Sequence, residues 1–231
     1  MWLLFDTVGT LIHPNRLIAE IYHAAGQQFG SGLSVEQIEG RFRAALAAET
    51  KTTASALAAV ESRPPAGEAA ELERWRRIVR QVFQDVPDQQ QQPLFELLWD
   101  HFAQPANWRL FSDVGPALVK LAAAGQRLGI ASNFDGRLRR IVAGLPGLEI
   151  CERTFLSSEI GYSKPDPRFF TAVERQLGVP GEQITLVGDD WDNDIVAARA
   201  AGWQAIWLCR EGATGSAAHV RSLDELAGQE K

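Results

Sequence analysis

From residue 112 onward, short apolar runs alternate with amphipathic segments closed by glycine, and this alternation restricts the chain to a parallel sheet flanked by helices. The spacing predicts strands at 127–131, 154–156, 184–187 and 204–208. It predicts helices at 114–124, 136–143, 167–177 and 193–201, with a short helical tail from Leu223. The third of these helices opens on Pro167 and closes at Gly178, the residue types that suit a first turn and a C-terminal cap. An apolar run at 2–5 supplies one more buried strand. In an open sheet of this kind, ligands bind beyond the carboxyl ends of the strands. Three predicted strands end in small or polar residues: at Asp6, at Ser132-Asn133 and at Asp189-Asp190. Those endings form one candidate site.

Residues 14–108 follow a different period. Apolar residues recur at helical spacing, as in Leu17, Ile21 and Ala24, or Ile38, Phe42 and Leu46. Prolines 64 and 65 and Pro87 break the pattern, and glutamines 89–92 read as a polar helix start or loop. The stretch is expected to form four or five helices. It departs from the sheet directly after the first strand ending, so it is placed to cover that edge.

The formal net charge is −6, which disfavours an electrostatic grip on nucleic acid or anionic lipid but leaves room for a small anionic substrate. No apolar run reaches bilayer length. The apolar start of the chain is too short for a signal peptide and lacks a basic leading segment. The two cysteines, Cys151 and Cys209, make no disulfide framework. A cytoplasmic protein is the expectation.

Four segments carry chemistry. Asp6 ends a buried strand and is followed by a Gly9-Thr10 turn. Residues 189–194 hold four carboxylates (Asp189, Asp190, Asp192 and Asp194), whose mutual repulsion a hard divalent cation would relieve. Helix capping by Asp192 or Asp194 accounts for one or two of the four. Lys164 precedes two prolines in Ser163-Lys164-Pro165-Asp166-Pro167, which hold it stiffly. Ser132 and Asn133 offer a hydroxyl and backbone N–H groups to anionic oxygens. Taken singly, each has a plain alternative as a turn or cap residue.

Together, in this order, they resemble the haloacid dehalogenase superfamily. The matching segments are Phe5-Asp6-Thr7-Val8-Gly9-Thr10-Leu11, Ile130-Ala131-Ser132-Asn133, Lys164-Pro165-Asp166, and Gly188-Asp189 through Asp194. The resemblance implies an α/β fold. A Rossmann-like core with helices on both faces would span residues 1–13 and 109–231, and an inserted all-helical cap domain residues 14–108. It also implies roles. Asp6 would be the nucleophile and form a covalent intermediate. Lys164 would be catalytic by neutralising charge, and Ser132 and Asn133 would bind substrate oxygens. Mg²⁺ would be held by Asp6, Asp189, Asp194 and the backbone carbonyl of Val8.

One departure matters. Phosphatases of this superfamily carry a second Asp two residues after the nucleophile, as proton donor to the leaving group; here that position is Val8. A positioned general acid contributes roughly 10²–10⁴-fold in rate. His13, Asp135 and Asp190 are candidate substitutes. Three functions follow. The first is a Mg²⁺-dependent phosphatase-type hydrolase with a weakened acid/base step, acting on a small phosphorylated or otherwise anionic substrate. The second is a non-catalytic member that binds a phosphorylated ligand or a partner, with Trp75, Trp99 and Trp108 as surface candidates, although large aromatics at helical spacing are more often core residues. The third is a 2-haloacid dehalogenase, which also lacks the second Asp but uses no metal.

Overall fold

Trp2, Leu3, Leu4 and Phe5 are all buried, and they form the central strand β1 (Trp2–Phe5). A computed structural model describes residues 1–57, 67–211 and 219–227. Parallel pairing places β4 (Arg127–Ser132) on one side of β1 and β6 (Ile184–Gly188) on the other. Beyond β4 lies β5 (Arg153–Leu156); beyond β6 lie β7 (Gln204–Leu208) and β8 (His219–Val220). The sheet has six parallel strands in the order β5-β4-β1-β6-β7-β8.

The two-residue period of β1 sorts its side chains between two cores. Leu3 and Phe5 pack with Leu118 and Leu121 of α5 (Val114–Ala123) and with Leu138 and Ile141 of α6 (Arg137–Ala143). Trp2 and Leu4 pack on the opposite face with Phe169, Phe170 and Val173 of α8 (Pro167–Leu177) and with α9 (Ala197–Ala200). Fully burying an apolar side chain of this size stabilises by about 1.5–3 kcal/mol. Helices on both faces therefore hold the strand in one register, and the register fixes the site: Phe5 lies opposite both Ile130 and Val187. The residues that follow these three emerge side by side at the carboxyl edge.

Residues 18–102 contribute four helices among the described residues: α1 (Ile18–Gln28), α2 (Val35–Leu57), α3 (Glu68–Val82) and α4 (Asp88–Phe102). They share a separate core that includes Tyr22, Ile38, Ile78, Phe83 and Leu94. Pro87 caps the start of α4, and the glutamine run lies in its first turns. The helix break expected at prolines 64 and 65 lies outside the described residues.

The structure adds elements that the periodicity did not suggest. An antiparallel ribbon of β2 (Ile12–Pro14) and β3 (Trp108–Leu110) joins the two ends of the helical segment, pairing Pro14 with Trp108. Strands of three residues are too short for alternation to register. A short helix, α7 (Ser157–Ile160), follows β5 directly, and α10 (Asp224–Ala227) ends the described chain. The helix expected at 193–201 is instead a π-type turn at Trp191–Val196 running into α9. Such turns concentrate at functional sites. Among the described residues no helix is long and apolar enough to cross a membrane.

Candidate active site

Asp6 takes its place from the sheet. Its backbone N–H donates to Val187 O at 2.8 Å, extending the β1–β6 ladder by one residue beyond the strand. Its side chain turns toward the strand ends and keeps 15% of its surface exposed. Lys164 arrives from the far side of the sheet on the loop before α8. Asn133, at the end of β4, holds that loop. Its Nδ2 donates to Lys164 O, and its Oδ1 accepts from the Lys164 backbone N–H, both at 2.8 Å. The Lys164 ammonium is then buried at the carboxyl edge. It donates to Asp6 Oδ1 at 2.9 Å, to Ala131 O at 2.8 Å and to Asp194 Oδ1 at 2.5 Å.

This arrangement sets the charges. Burial alone would lower the ammonium's pKa, but the carboxylates of Asp194 and Asp6 outweigh it and hold the group above the ordinary lysine value. The Asp6 carboxyl is raised from its ordinary value, first by burial and then by the neighbouring Asp189, with Lys164 acting in the opposite sense. Asp194 is pushed up to about 7, again mainly by burial, with Lys164 opposing and Asp6 adding. Asp189 faces solvent and is also raised, by partial desolvation and by Asp194. Asp6 and Asp194 bond the ammonium and Asp189 lies beside them, so three carboxyl groups are gathered around a single cation.

Two glycines and a threonine shape the cluster. Gly9 adopts φ +90°, and a Cβ at that position would collide with the Asp189 carboxylate. A Cβ on Gly188 would collide with Asp194. Thr10 Oγ1 donates to Asp189 Oδ1 at 2.8 Å. As a result, one carboxylate oxygen from each of Asp6, Asp189 and Asp194 lies within 4.8 Å of the others. An all-oxygen donor set of this kind fits a hard cation such as Mg²⁺.

The residues singled out in the sequence fall into two groups. Asp6, Val8, Ser132, Asn133, Lys164, Asp189 and Asp194 converge on one small pocket of about 210 Å³. Of the three candidate substitute acids, His13 and Asp135 lie outside that pocket, while Asp190 lines it with its carboxylate already hydrogen-bonded. His13 lies on the β2–β3 ribbon, tilted against Phe111, with Nδ1 at 2.8 Å from Pro14 O. Asp135 is buried in an ion pair with Arg137 at 2.7 Å. Asp190 caps the π-type turn, accepting from the N–H groups of Asp192 and Asn193 at 3.0 and 2.9 Å. That cap corrects the assignment of capping to Asp192 or Asp194. The Asp190 backbone N–H in turn donates to Asp194 Oδ2 at 3.1 Å and so fixes that carboxylate.

Sequence reasoning missed Arg137 and Glu68. Arg137 clasps Asp135 and lies over the Trp99 ring, 3.3 Å from its centroid, so it joins the core to α4. Glu68 at the start of α3 accepts from the Gly136 N–H at 2.8 Å and from the Ser158 hydroxyl. No local pattern marks either role, because Trp99, which Arg137 covers, and both partners of Glu68 lie far away in the chain.

Residues 1–202 match the family of haloacid dehalogenase-like hydrolases. Among curated relatives, haloacid dehalogenase-like hydrolase domain-containing protein 3 of Danio rerio is 30% identical, over 97% of this chain and 94% of its own length. Among solved structures, a HAD phosphatase from Thermococcus onnurineus aligns with a TM-score of 0.64 at 22% identity, covering 97% of this chain and 95% of that one. A defluorinating L-2-haloacid dehalogenase aligns with a TM-score of 0.75 at 18% identity, covering 98% and 93%. These structural likenesses speak to the fold alone.

Proposed function

The chain belongs to the haloacid dehalogenase-like hydrolases, and from that premise we propose that it is a Mg²⁺-dependent phosphatase-type hydrolase working through Asp6. One observation carries the reading: the buried Lys164 ammonium bonds both Asp6 and Asp194, with Asp189 completing a carboxylate triangle at the sheet edge. Asp6 is the member of the ammonium-bonded pair that retains exposure, and so the one an incoming substrate can meet.

In this reading the free Asp6 carboxylate oxygen attacks phosphorus. The bond from phosphorus to the leaving oxygen breaks with its electron pair going to that oxygen, and water then cleaves the aspartyl phosphate. Lys164 orients Asp6 and offsets the charge of the phosphoryl group. Ser132 and the backbone at Asn133 hold phosphoryl oxygens at the end of β4. Asp6, Asp189, Asp194 and the Val8 carbonyl would hold Mg²⁺, which when bound stabilises charge on the phosphoryl oxygens. Helices α1–α4 act as a cap over the site. The free cysteines support a reducing, cytoplasmic setting.

Val8 brings no proton to the leaving oxygen, and His13, Asp135 and Asp190 are occupied as described. The reading therefore favours substrates whose leaving group departs without one, such as acyl phosphates and activated aryl phosphates. A phosphate-release screen with and without Mg²⁺, including acetyl phosphate, 4-nitrophenyl phosphate and sugar phosphates, tests it. Turnover should need Mg²⁺, vanish in Asp6→Asn and be fastest with the activated substrates. Turnover that survives Asp6→Asn would overturn the reading. Release of halide from a haloacid without metal would establish the dehalogenase alternative instead.

A further inference from the structure

Beside the small acidic pocket lies a second, larger cavity of about 720 Å³, within the size range of sites that enclose a small organic molecule. The two are continuous: Val8, Asn133, Phe134, Lys164, Asp190 and Asn193 line both. The far wall of the larger cavity comes from the helical segment and the ribbon, with Phe42, Leu46, Trp75, Phe95, Trp99 and Trp108 among its residues. Any molecule that presents an anionic group to Lys164 from this side must lay the rest of its body against that wall.

The wall's chemistry selects the body. Phenyl and leucine surfaces give no hydrogen bonds and an indole offers only its single N–H, so most polar groups of a hydroxyl-rich sugar would lose water without replacement. The Arg137 guanidinium lies over Trp99, 3.3 Å from the ring centroid, so cation and indole form one continuous face. Each cation lining the cavity already has an anionic partner: Arg74 with Glu71 at 3.3 Å, Arg137 with Asp135 at 2.7 Å, and Lys164 with Asp6 and Asp194. A second anionic group on the substrate would enter an apolar space and compete with an existing ion pair, at a cost in desolvation. Val8 stands on the seam between the two spaces. The side chain that removes the proton donor thus also begins the apolar surface.

We propose that the substrate carries a single phosphoryl group on an apolar, ring-containing body, and that this body occupies the aromatic cavity beneath α1–α4. The proposal rests on the phosphatase-type reading of Asp6 and Lys164, and it names the substrate class for that same site.

Calorimetric titration of the whole protein in Mg²⁺ with three inert phosphonates tests it. Naphthylmethylphosphonate should bind at least about tenfold tighter than methylphosphonate, a gain that needs only about 55 Å² of ring surface removed from water. Phosphonoacetate, with its second anionic group, should bind no tighter than methylphosphonate. Leu46→Lys, which introduces an ammonium into the wall, should erase the naphthyl preference and favour phosphonoacetate. Trp75→Gln, judged with the same ligands, serves if Leu46→Lys does not fold. Equal affinity for the naphthyl and methyl ligands, or tightest binding of phosphonoacetate by the unaltered protein, overturns the proposal. Acetyl phosphate turnover separates the two levels. If it is turned over in an Asp6-dependent way while the naphthyl group gives no advantage, the substrate class fails alone. If acetyl phosphate is inert and no phosphonate binds, the reading of the site fails and takes the proposal with it.

Discussion

Replacing Lys164 with methionine keeps most of the side-chain volume and deletes the one charge that three buried or half-buried groups share. Nζ holds Asp6, Asp194 and the Ala131 carbonyl, and the lysine and Asp194 side chains are each only 1% exposed. Removing one partner of a buried ion pair costs about 3–5 kcal/mol, because the remaining charge is stranded. For a chain of this size each kcal/mol lowers Tm by about 2–4 °C, so the metal-free variant should melt about 6–20 °C below the unaltered protein. Protonation limits the penalty. Asp194 already sits at about 7, raised mainly by burial. A carboxyl whose folded pKa is raised binds its proton more tightly folded than unfolded. Its charged form therefore destabilises, and stability returns as pH falls through the folded pKa. The deficit should thus be larger at about pH 8 than at about pH 5. Thermal denaturation in chelator at both pH values measures it, and added Mg²⁺ should recover part of the loss at the higher pH. A Tm within about 1 °C of the unaltered protein at both pH values would refute the reasoning, since a stranded carboxylate pair cannot be that cheap.

Val8→Asp should raise hydrolysis of phosphate esters with poor leaving groups by about 10²-fold or more, read as kcat/KM, while acetyl phosphate turnover changes little. No gain, with Mg²⁺ bound and the fold intact, would count against the missing-acid account. Gly188→Ala places a methyl against the Asp194 carboxylate. It should cost about 1–3 kcal/mol in urea denaturation and weaken Mg²⁺ binding in the same variant; unchanged Mg²⁺ affinity would show that Asp194 has no part in the metal site. Asp113 ties the described C-terminal residues to the core, accepting from Arg210, from the Ser222 hydroxyl and from the Leu223 N–H at 3.0, 3.0 and 2.8 Å. Burial pushes its pKa up, but these bonds outweigh burial and hold it below the ordinary carboxylate range. Its stabilisation is therefore complete above about pH 4 and fades as pH falls through the depressed value. Asp113→Asn should cost about 1.5–3 kcal/mol near neutrality and progressively less in acid, followed by urea denaturation across pH; a pH-independent cost would contradict the assignment.

The sheet was legible because β1 is a continuous apolar run and β4 and β6 are nearly so, the pattern of strands buried on both faces. Their polar endings, Asp6, Ser132 and Asp189, led to the carboxyl edge for the same reason. Lys164 was readable only through its company, and its depth in the fold was not. Nothing local to Ser163-Lys164-Pro165 says that Asn133 clasps the loop backbone from 31 residues away. The ribbon of β2 and β3 escaped because three residues carry no period, and the π-type turn because its residues also fit a helix. Arg137 illustrates the limit most sharply. Its sequence neighbours suggest a surface helix position, while its role comes from Asp135 beneath it and from Trp99, which α4 brings over it. The aromatic residues of the helical segment read as ordinary core, and many are. The wall they form becomes visible only when their helices are set above the strand ends.

The most direct test of the account is a chemical quench. Protein and acetyl phosphate are mixed with Mg²⁺ in a single turnover, stopped in acid, digested and weighed peptide by peptide. The account expects one phosphoryl group on the peptide that contains Asp6, labile to hydroxylamine and absent from Asp6→Asn. Phosphate released at full rate with no adduct at that position, and released equally well by Asp6→Asn, would contradict it.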